Sequence, residues 1–305
     1  MDPLLLMALS NEPNESGVVG GAAARAVDWP GVAAVYLDRQ VACTGVLIAP
    51  TVVLTAGHCA DGLTGVSLDA DDIGGLRQQF AAKKVVAYPH WGRTYDLALV
   101  ILDRPATTEP AVIAQGCVLD EFFAKGSDVG IVGYGAVDKR AEEYVDELQE
   151  GTTVVIDPAC TDEELGCNPQ VSPGGELAAG GNGVDSCNGD SGGPLYLRTP
   201  DGIYLVGITS RAVDTARLPC SEGGIYVRPD AVIDWIETTA GVQLPAPECV
   251  GADVQGGAFT PAPLDDGEIS SMSYEVGVCG LPGGLPSLVG ASVAAAMALG
   301  RRRGR

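Results

Sequence analysis

Histidine is scarce in this chain of 305 residues, which contains only His58 and His90. Both precede Ser191, which lies in the segment Gly189-Asp190-Ser191-Gly192-Gly193. This segment fits the Gly-x-Ser-x-Gly turn of the α/β-hydrolase fold, but a catalytic triad on that fold needs a histidine after the serine. The positions of the two histidines therefore exclude an α/β-hydrolase triad.

Basic residues are also few, because 18 Lys and Arg face 40 Asp and Glu, for a net charge of −22. A chain this acidic repels phosphate backbones, so we expect no nucleic-acid partner. The same charge either attracts cationic substrates over a distance or serves solubility alone. No cysteine–histidine set has zinc spacing, and the run Asp69, Asp71 and Asp72 lacks a calcium loop's spacing. We expect a solvated turn there, and neither a metal nor any other cofactor.

Long helical periodicities are rare before residue 230, whereas 42 glycines and 20 prolines interrupt the chain. Short apolar runs recur between Gly, Pro, Asp and Asn residues, a pattern typical of a β-sandwich or β-barrel. The sequence therefore predicts an all-β fold. These runs cover residues 31–37, 41–48, 51–54, 84–88, 97–102, 128–132, 152–156, 195–197 and 203–209.

The glycine-flanked turn at Ser191 suits a nucleophile, because it exposes the hydroxyl where backbone N–H groups can converge. His58 in Thr55-Ala56-Gly57-His58-Cys59 and Asp96 in Tyr95-Asp96-Leu97-Ala98-Leu99 precede it in the order His, Asp, Ser. That order is one of those in which serine triads occur. His90, six residues before Asp96, is the rival base, but its setting is typical of a surface loop.

Six segments resemble, in the same order, those of the trypsin/chymotrypsin-like serine endopeptidases. They are Val-Val-Gly-Gly at 18–21, 55–59, 96–99, Gly-Tyr-Gly at 133–135, 185–195, and 224–227 followed by 234–236. The resemblance spans about residues 18 to 240. It implies two six-stranded antiparallel β-barrels with a C-terminal helix, and an active site in the cleft between the barrels.

The resemblance assigns catalytic roles to three side chains. Ser191 is the expected nucleophile, His58 its general base, and Asp96 the residue that orients the imidazole. The backbone N–H groups of Gly189 and Ser191 are expected to form the oxyanion hole.

The resemblance also places Asp185 at the base of the primary pocket, with Ser210 and Gly224 as further substrate-binding residues. A carboxylate there implies cleavage after Arg or Lys. Arg211 and Ala212 occupy positions where the family usually has Trp-Gly. Arg211 could reach Asp185 and neutralise it or could lie outward, and the methyl of Ala212 could narrow the entrance.

Val18 and Asp190 form the expected activation pair, in which cleavage of the Gly17–Val18 bond frees an ammonium group for Asp190. An enzyme that cuts after Arg or Lys would not cut after Gly17, so an unknown activating protease is the expected partner. Alternatively, the leader is removed in another way, or a different group satisfies Asp190.

Nine cysteines indicate an oxidising compartment. The resemblance implies the disulfides Cys43–Cys59 and Cys187–Cys220. Sequence spacing leaves the others open. Cys160 with Cys167 would close a short loop, and Cys117 with Cys249 would leave Cys279 over, whereas Cys249 with Cys279 would leave Cys117 free.

The chain divides into a leader or activation segment (1–17), a protease domain (18–242), a disordered linker (243–284) and an apolar C-terminal segment (285–305). The leader is either an atypical signal or the product of a misplaced start codon. Residues 285–300 form a short apolar helix candidate, below the roughly 20 residues that span a bilayer. With Cys279 before it and arginines after it, this segment resembles bacterial surface-sorting tails; the alternative is a disordered Ala-rich end.

Together these features predict a secreted or surface-displayed serine endopeptidase that hydrolyses protein or peptide substrates through an acyl-enzyme. We expect an exported monomer, either extracellular or attached to a bacterial cell surface through residues 285–305. The alternative is a catalytically inactive, protease-like binding protein at the cell surface. Such proteins usually lack a triad residue, whereas this chain has all three.

Overall fold

A computed structural model describes residues 18–75, 78–249 and 279–280. For residues 248–249 and 279–280 only the strand pairing is described. The expectations for the leader 1–17, for most of the linker and for the segment 285–305 lie outside the described residues.

Strands dominate the described chain, and helices are short. The strands are β1 Ala22–Ala23, β2 Val32–Leu37, β3 Gln40–Ala49, β4 Val52–Thr55, β5 Leu63–Leu68, β6 Gln78–Ala87, β7 Ala98–Leu102, β8 Val112–Ile113, β9 Asp128–Gly133, β10 Gln149–Asp157, β11 Glu176–Ala179, β12 Pro194–Thr199, β13 Gly202–Ala212, β14 Gly224–Val227, β15 Glu248–Cys249 and β16 Cys279–Gly280. The α-helices are α1 Cys117–Phe122 and α2 Ile233–Ala240, and single 3-10 turns cover Ala26–Asp28, Gly57–Cys59, Ile73–Gly75, Trp91–Arg93, Glu163–Leu165 and Pro229–Val232.

The first barrel closes in the antiparallel order β2-β3-β4-β7-β6-β5. Its strands are rich in β-branched residues, which pack well on a pleated surface. Alternate side chains point inward and meet in one buried cluster that includes Val35, Leu47, Val53, Val66 and Val100. The pairing of β4 with β7 sets Leu54 opposite Leu99, and this register places the ends of both strands at the active site.

The second barrel closes through pairing of β9 with β10, giving the ring β9-β10-β11-β14-β13-β12. The short strand β1 extends it beside β10, and β8 pairs with β13 in parallel. Its interior is a separate apolar cluster that includes Ile131, Val155, Leu177, Leu195 and Tyr226. Each barrel thus has its own hydrophobic core, and a third apolar cluster lies between the two barrels.

The cluster between the barrels draws side chains from both, such as Leu54 and Leu99 from the first and Ile208 from the second, and it includes Ile236 of α2. This helix follows the turn Pro229–Val232 and ends at Ala240. The capping residue Gly241 has a φ of 69°, the left-handed conformation usual just after a helix C-terminus. Within the described chain, no helix is both long and apolar enough to cross a membrane.

The prediction of two six-stranded antiparallel barrels with a C-terminal helix is confirmed. Strand β5 was not among the apolar runs, since Thr64, Gly65 and Ser67 interrupt it. Helix α1 was also not expected. Within the region expected to be a linker, β15 pairs antiparallel with β16.

Three disulfides join Cys43 to Cys59, Cys160 to Cys167 and Cys187 to Cys220. The first and the third are the pairs that the family resemblance implies, whereas the sequence left the pairing of Cys160 with Cys167 open. Cys117 is disulfide-bonded too, so the alternative that leaves it free is wrong. The other alternative, in which Cys117 pairs with Cys249, involves a side chain outside the described residues.

Candidate active site

Two ends of neighbouring strands bring His58 and Asp96 together. His58 lies in the 3-10 turn directly after β4, and Asp96 lies two residues before β7, the strand paired with β4. The ring Nδ1 of His58 is 2.8 Å from Oδ2 of Asp96, and its backbone N–H donates to Oδ1 over 2.9 Å. Since a carboxylate only accepts, Nδ1 carries the proton, and Nε2 is left as the basic nitrogen.

Gly57 permits this approach because it has no side chain. A Cβ at this position would lie 2.7 Å from Cβ of Trp91 and 3.0 Å from Oδ1 of Asp96. Trp91 in turn stands beside the imidazole, with 6.3 Å between the Trp91 and His58 ring centroids.

Asp96 has a second partner that the sequence did not reveal. The hydroxyl of Ser210 donates to its Oδ2 over 2.8 Å, whereas we expected Ser210 to contact substrate. Burial raises the pKa of Asp96, but the hydrogen bonds and charge of His58 together with the Ser210 bond lower it on balance below its ordinary value. Asp96 therefore carries a negative charge at neutral pH and can stabilise a protonated His58.

The loop that carries Ser191 is a tight turn anchored to the first barrel. The backbone N–H of Thr44 donates to the Ser191 carbonyl over 2.9 Å, and the Thr44 hydroxyl donates to the Gly189 carbonyl over 2.9 Å. Gly192 has a φ of 81°, and a Cβ there would lie 2.1 Å from Oγ1 of Thr55. Only glycine fits at this position.

The backbone N–H groups of Gly189 and Ser191 are held in fixed orientations. The carbonyl of Asn188 accepts from the N–H of Ala136 over 2.8 Å, and that of Asp190 accepts from the N–H of Gly193 over 2.8 Å. In a trans peptide the N–H points away from the carbonyl of the same peptide group. The N–H groups of Gly189 and Ser191 therefore point away from Ala136 and Gly193. Among the described residues, neither donates to a protein acceptor.

The structure brings His58 and Asp96 into direct contact and places Ser191 beside them. Cys59, next to His58, has its Sγ 3.8 Å from the Ser191 carbonyl oxygen. Within the described chain, no hydrogen bond joins the Ser191 hydroxyl to the His58 ring. His90 is exposed, has a φ of 57° and precedes the turn Trp91–Arg93; it is His58 that contacts Asp96.

Asp185 is buried at 2% exposure. Its Oδ1 accepts from the N–H of Ser186 over 2.9 Å, and its Oδ2 accepts from Ser221 over 2.9 Å and from Gly223 over 2.8 Å. Burial raises the pKa of Asp185 to about 6, against the lowering effect of these backbone N–H groups. Gly224 lies in the adjoining strand β14 and faces Ala212 of β13 in register.

Arg211 neither reaches Asp185 nor simply lies outward. Its guanidinium donates to Oε1 of Glu176 over 2.7 Å and to Oε2 over 3.2 Å. A further bond of 2.8 Å reaches the carbonyl of Gly166. Glu176 is fully buried, so the guanidinium of Arg211 compensates the charge of this carboxylate. Arg211 makes no ion pair with Asp185.

Asp190 is completely buried below the Ser191 turn. Its Oδ1 accepts from the N–H of Gly135 and its Oδ2 from the N–H of Cys187, each over 2.9 Å. Burial raises the pKa of Asp190 to about 7, although these two bonds lower it. Val18 is also fully buried, and the Val19 carbonyl accepts from the backbone N–H of Asp185 over 3.1 Å, so the residue after Val18 is bound to the segment that leads into the Ser191 turn.

One group of potential metal ligands includes His58. Atoms of Cys43, His58 and Cys59 lie within 4.8 Å of one another. The two sulfurs are bonded to each other, and a disulfide supplies no thiolate ligand. This group does not form a metal site.

In the acidic turn, the carboxylates of Asp69 and Asp71 make hydrogen bonds within the protein. Asp69 accepts from the Thr108 hydroxyl over 2.8 Å, and Asp71 accepts from the N–H of Ala26 over 2.8 Å.

Two antiparallel barrels, with a histidine–carboxylate pair and a glycine-flanked serine at their junction, define the class of the serine-type endopeptidases. The sequence model of the Trypsin family matches residues 18–236. The chain therefore belongs to the trypsin family.

Relatives come from animals and bacteria. Serine protease 56 of Homo sapiens is 32% identical over 236 residues, which cover 72% of this chain and 38% of that protein. Serine protease 56 of Mus musculus is 30% identical over 251 residues, 76% of this chain and 40% of that protein. Trypsin of Saccharopolyspora erythraea is 29% identical over 228 residues, 71% of this chain and 95% of that protein. The match thus spans about two fifths of the length of the two animal proteins.

The stability of the full chain is expected to depend on pH because the carboxyl of Asp190 is buried. Its folded pKa of about 7 exceeds the ordinary 3.8, so the native state keeps a proton that the unfolded chain releases. The stability contributed by this group is present below pH 3.8 and is lost as the pH rises through about 7. Urea unfolding of wild type and Asp190→Asn at a series of pH values measures this loss. A difference in unfolding free energy that stays constant from about pH 4 to pH 8 would contradict it.

Proposed function

We propose that the whole protein is an active serine endopeptidase that cleaves peptide bonds through an acyl-enzyme on Ser191. The observation that carries the proposal is that the backbone N–H groups of Gly189 and Ser191 donate to no described protein acceptor. They lie in the turn that carries the Ser191 hydroxyl, next to the hydrogen-bonded pair His58 and Asp96. This arrangement combines a nucleophile, an oriented base and a site for a developing oxyanion.

The mechanism follows from these groups. Ser191 Oγ attacks the scissile carbonyl carbon while Nε2 of His58 takes the hydroxyl proton. The carbonyl oxygen becomes an oxyanion between the N–H groups of Gly189 and Ser191. As the C–N bond breaks, the imidazolium gives its proton to the leaving amine, and Asp96 stabilises that imidazolium throughout. Water then attacks the acyl-enzyme by the same route. Catalytic hydrogen bonds often form only with substrate in place, which agrees with the missing Ser191–His58 bond.

Removal of the nucleophile or base is expected to abolish measurable peptidase activity. Ser191→Ala and His58→Ala should each lower the turnover of a peptide substrate by roughly 10⁴-fold or more. His90→Ala is the matched control and should stay close to wild type, because His90 does not contact Asp96. Labelling with a fluorophosphonate checks the same point and should fail only in the first two variants. Near-normal turnover by Ser191→Ala would refute the mechanism, and absence of labelling in the wild type would favour an inactive binding protein.

Cleavage after Arg or Lys is the specificity that Asp185 supports. Its carboxylate is buried, no described cation pairs with it, and its hydrogen bonds come from backbone N–H groups. A substrate cation that reaches it would form a charge-assisted contact in a site with little water. Arg211 does not compete for this role, since Glu176 holds it.

Asp185→Ser is expected to reduce kcat/KM for Arg peptides by roughly 10²-fold and to affect apolar peptides much less. Binding of benzamidine, a small cation, should weaken by about tenfold per pH unit below the pKa of about 6, because protonation removes the charge of Asp185. Neutral benzyl alcohol serves as the control ligand. A wild type that prefers Phe or Leu would show that Ala212 has closed the pocket and that this specificity is wrong.

Activation and export concern the two ends of the chain. The charge of Asp190 is costly to bury alone, Val18 is buried too, and its neighbour Val19 forms a β-bridge with Asp185, five residues before Asp190. A new ammonium at Val18, made by an unknown protease, would pair with Asp190 and favour the active conformation of the Ser191 turn.

Three disulfides support export to an oxidising compartment. There the segment 285–305 would retain the protein at the cell surface until it is processed near Cys279.

One fractionation experiment tests both ends. Cells that express the full chain should hold it at the membrane, whereas a chain that ends at Gly277 should be released into the medium. N-terminal sequencing of active material should begin at Val18. Equal release of both proteins would reject the anchoring role, and full activity in protein that retains residues 1–17 would reject the activation step.

A further inference from the structure

A cavity of about 910 Å³ lies beside the active site, and none of its lining residues carries a carboxylate. The 3-10 turn Trp91–Arg93 forms one wall, and Asn168 with Gln170 forms part of another. Arg93 and His90 are its basic residues. In a chain with a net charge of −22, a cavity without an acidic side chain is electrostatically distinct from its surroundings.

This cavity continues into the catalytic centre. A second cavity of about 600 Å³ shares Trp91, Arg93 and Asn168 with the first and is also lined by Asp96 and Ser210. Trp91 stands 6.3 Å from the His58 ring. A peptide held at Ser191 can therefore place a neighbouring side chain against the turn Trp91–Arg93.

The two cavities together form a groove, and the two arginines that line it, Arg93 and Arg211, differ in whether a carboxylate pairs with them. Arg211 is bound by both carboxylate oxygens of Glu176. Arg93 is exposed, and in the part of the chain that the structure describes it forms no ion pair within 4.0 Å. Glu163 and Asp214 line the second cavity, but neither pairs with it. Arg93 is thus a cation available to a ligand at the edge of the active site.

The turn that carries Arg93 is held in place from two sides. The backbone N–H of Arg93 donates to the His90 carbonyl over 2.7 Å. The side chain of Asn168 donates to the Thr94 carbonyl over 3.0 Å, and its backbone N–H donates to buried Glu176 over 2.7 Å. Because these bonds fix the backbone on both walls, a ligand need not order them on binding.

We infer that Arg93 determines specificity by binding an acidic side chain of the substrate at a position near the scissile bond, separate from the residue in the Asp185 pocket. This inference rests on the proposed peptidase function. The guanidinium supplies donors in the fork geometry that carboxylates accept. The exposed indole of Trp91 covers the aliphatic part of that side chain.

The test uses peptides that carry the residue preferred at the primary pocket and differ only by Glu or Gln at one neighbouring position at a time. We expect wild type to cleave the Glu peptide roughly fivefold better at one position, as for a partly exposed ion pair. Added salt should reduce this ratio. Arg93→Gln should bring it to about one, Arg93→Lys should keep part of it, and Arg25→Gln, at a remote exposed arginine paired with Asp28, should leave it unchanged.

The Glu-to-Gln ratio is internal to each variant, so a loss of total activity does not obscure it. Indifference of wild type to Glu and Gln at every position overturns the inference, as does a preference that survives in Arg93→Gln. Fluorophosphonate labelling separates this result from failure of the peptidase function. Labelled enzyme without Glu preference refutes only the role of Arg93, whereas wild type that is neither labelled nor able to cleave refutes both.

Discussion

The carboxylate of Asp190 is fully buried, and the turn that presents Ser191 is built around it. Backbone N–H groups of Gly135 and Cys187 bind its two oxygens, while its own carbonyl binds Gly193. A buried charge is costly unless its hydrogen bonds are satisfied, so the backbone on both sides must stay where it is. The same bonds set the peptide planes of the turn, and thus the directions of the N–H groups beside the serine hydroxyl.

Much of this arrangement could be predicted from short segments of sequence. The glycines around Ser191 permit backbone angles that other residues avoid, and two histidines leave few choices for a base. The barrels were predictable from the family resemblance rather than from periodicity. Strand β5 shows why periodicity alone was insufficient. Ser67 is buried there, and its hydroxyl donates to the Gln78 carbonyl over 3.3 Å, so a polar residue satisfies the strand without continuing the apolar run.

Partners outside the segments shared with the family could not be predicted. Arg211 binds Glu176 across 35 residues, and Ser210 binds Asp96 across 114. Nothing local to Arg211 distinguishes Glu176 from Asp185 as its acceptor, because both are acidic residues in the same barrel. The choice depends on strand β11 placing Glu176 at the side of β13 from which Arg211 projects. Such choices decide the charges of the substrate groove, whereas the segments around His58, Asp96 and Ser191 are recognisable by themselves.

Thr44 belongs to the first barrel, yet its backbone N–H and hydroxyl hold the carbonyls of Ser191 and Gly189 in the second. The active geometry is therefore a property of the assembled pair of barrels and of neither alone. Local opening of β3 would release the serine turn even while the second barrel kept its core. If heating unfolds one barrel before the other, activity would be lost when the less stable barrel opens. Inactivation would then precede global unfolding.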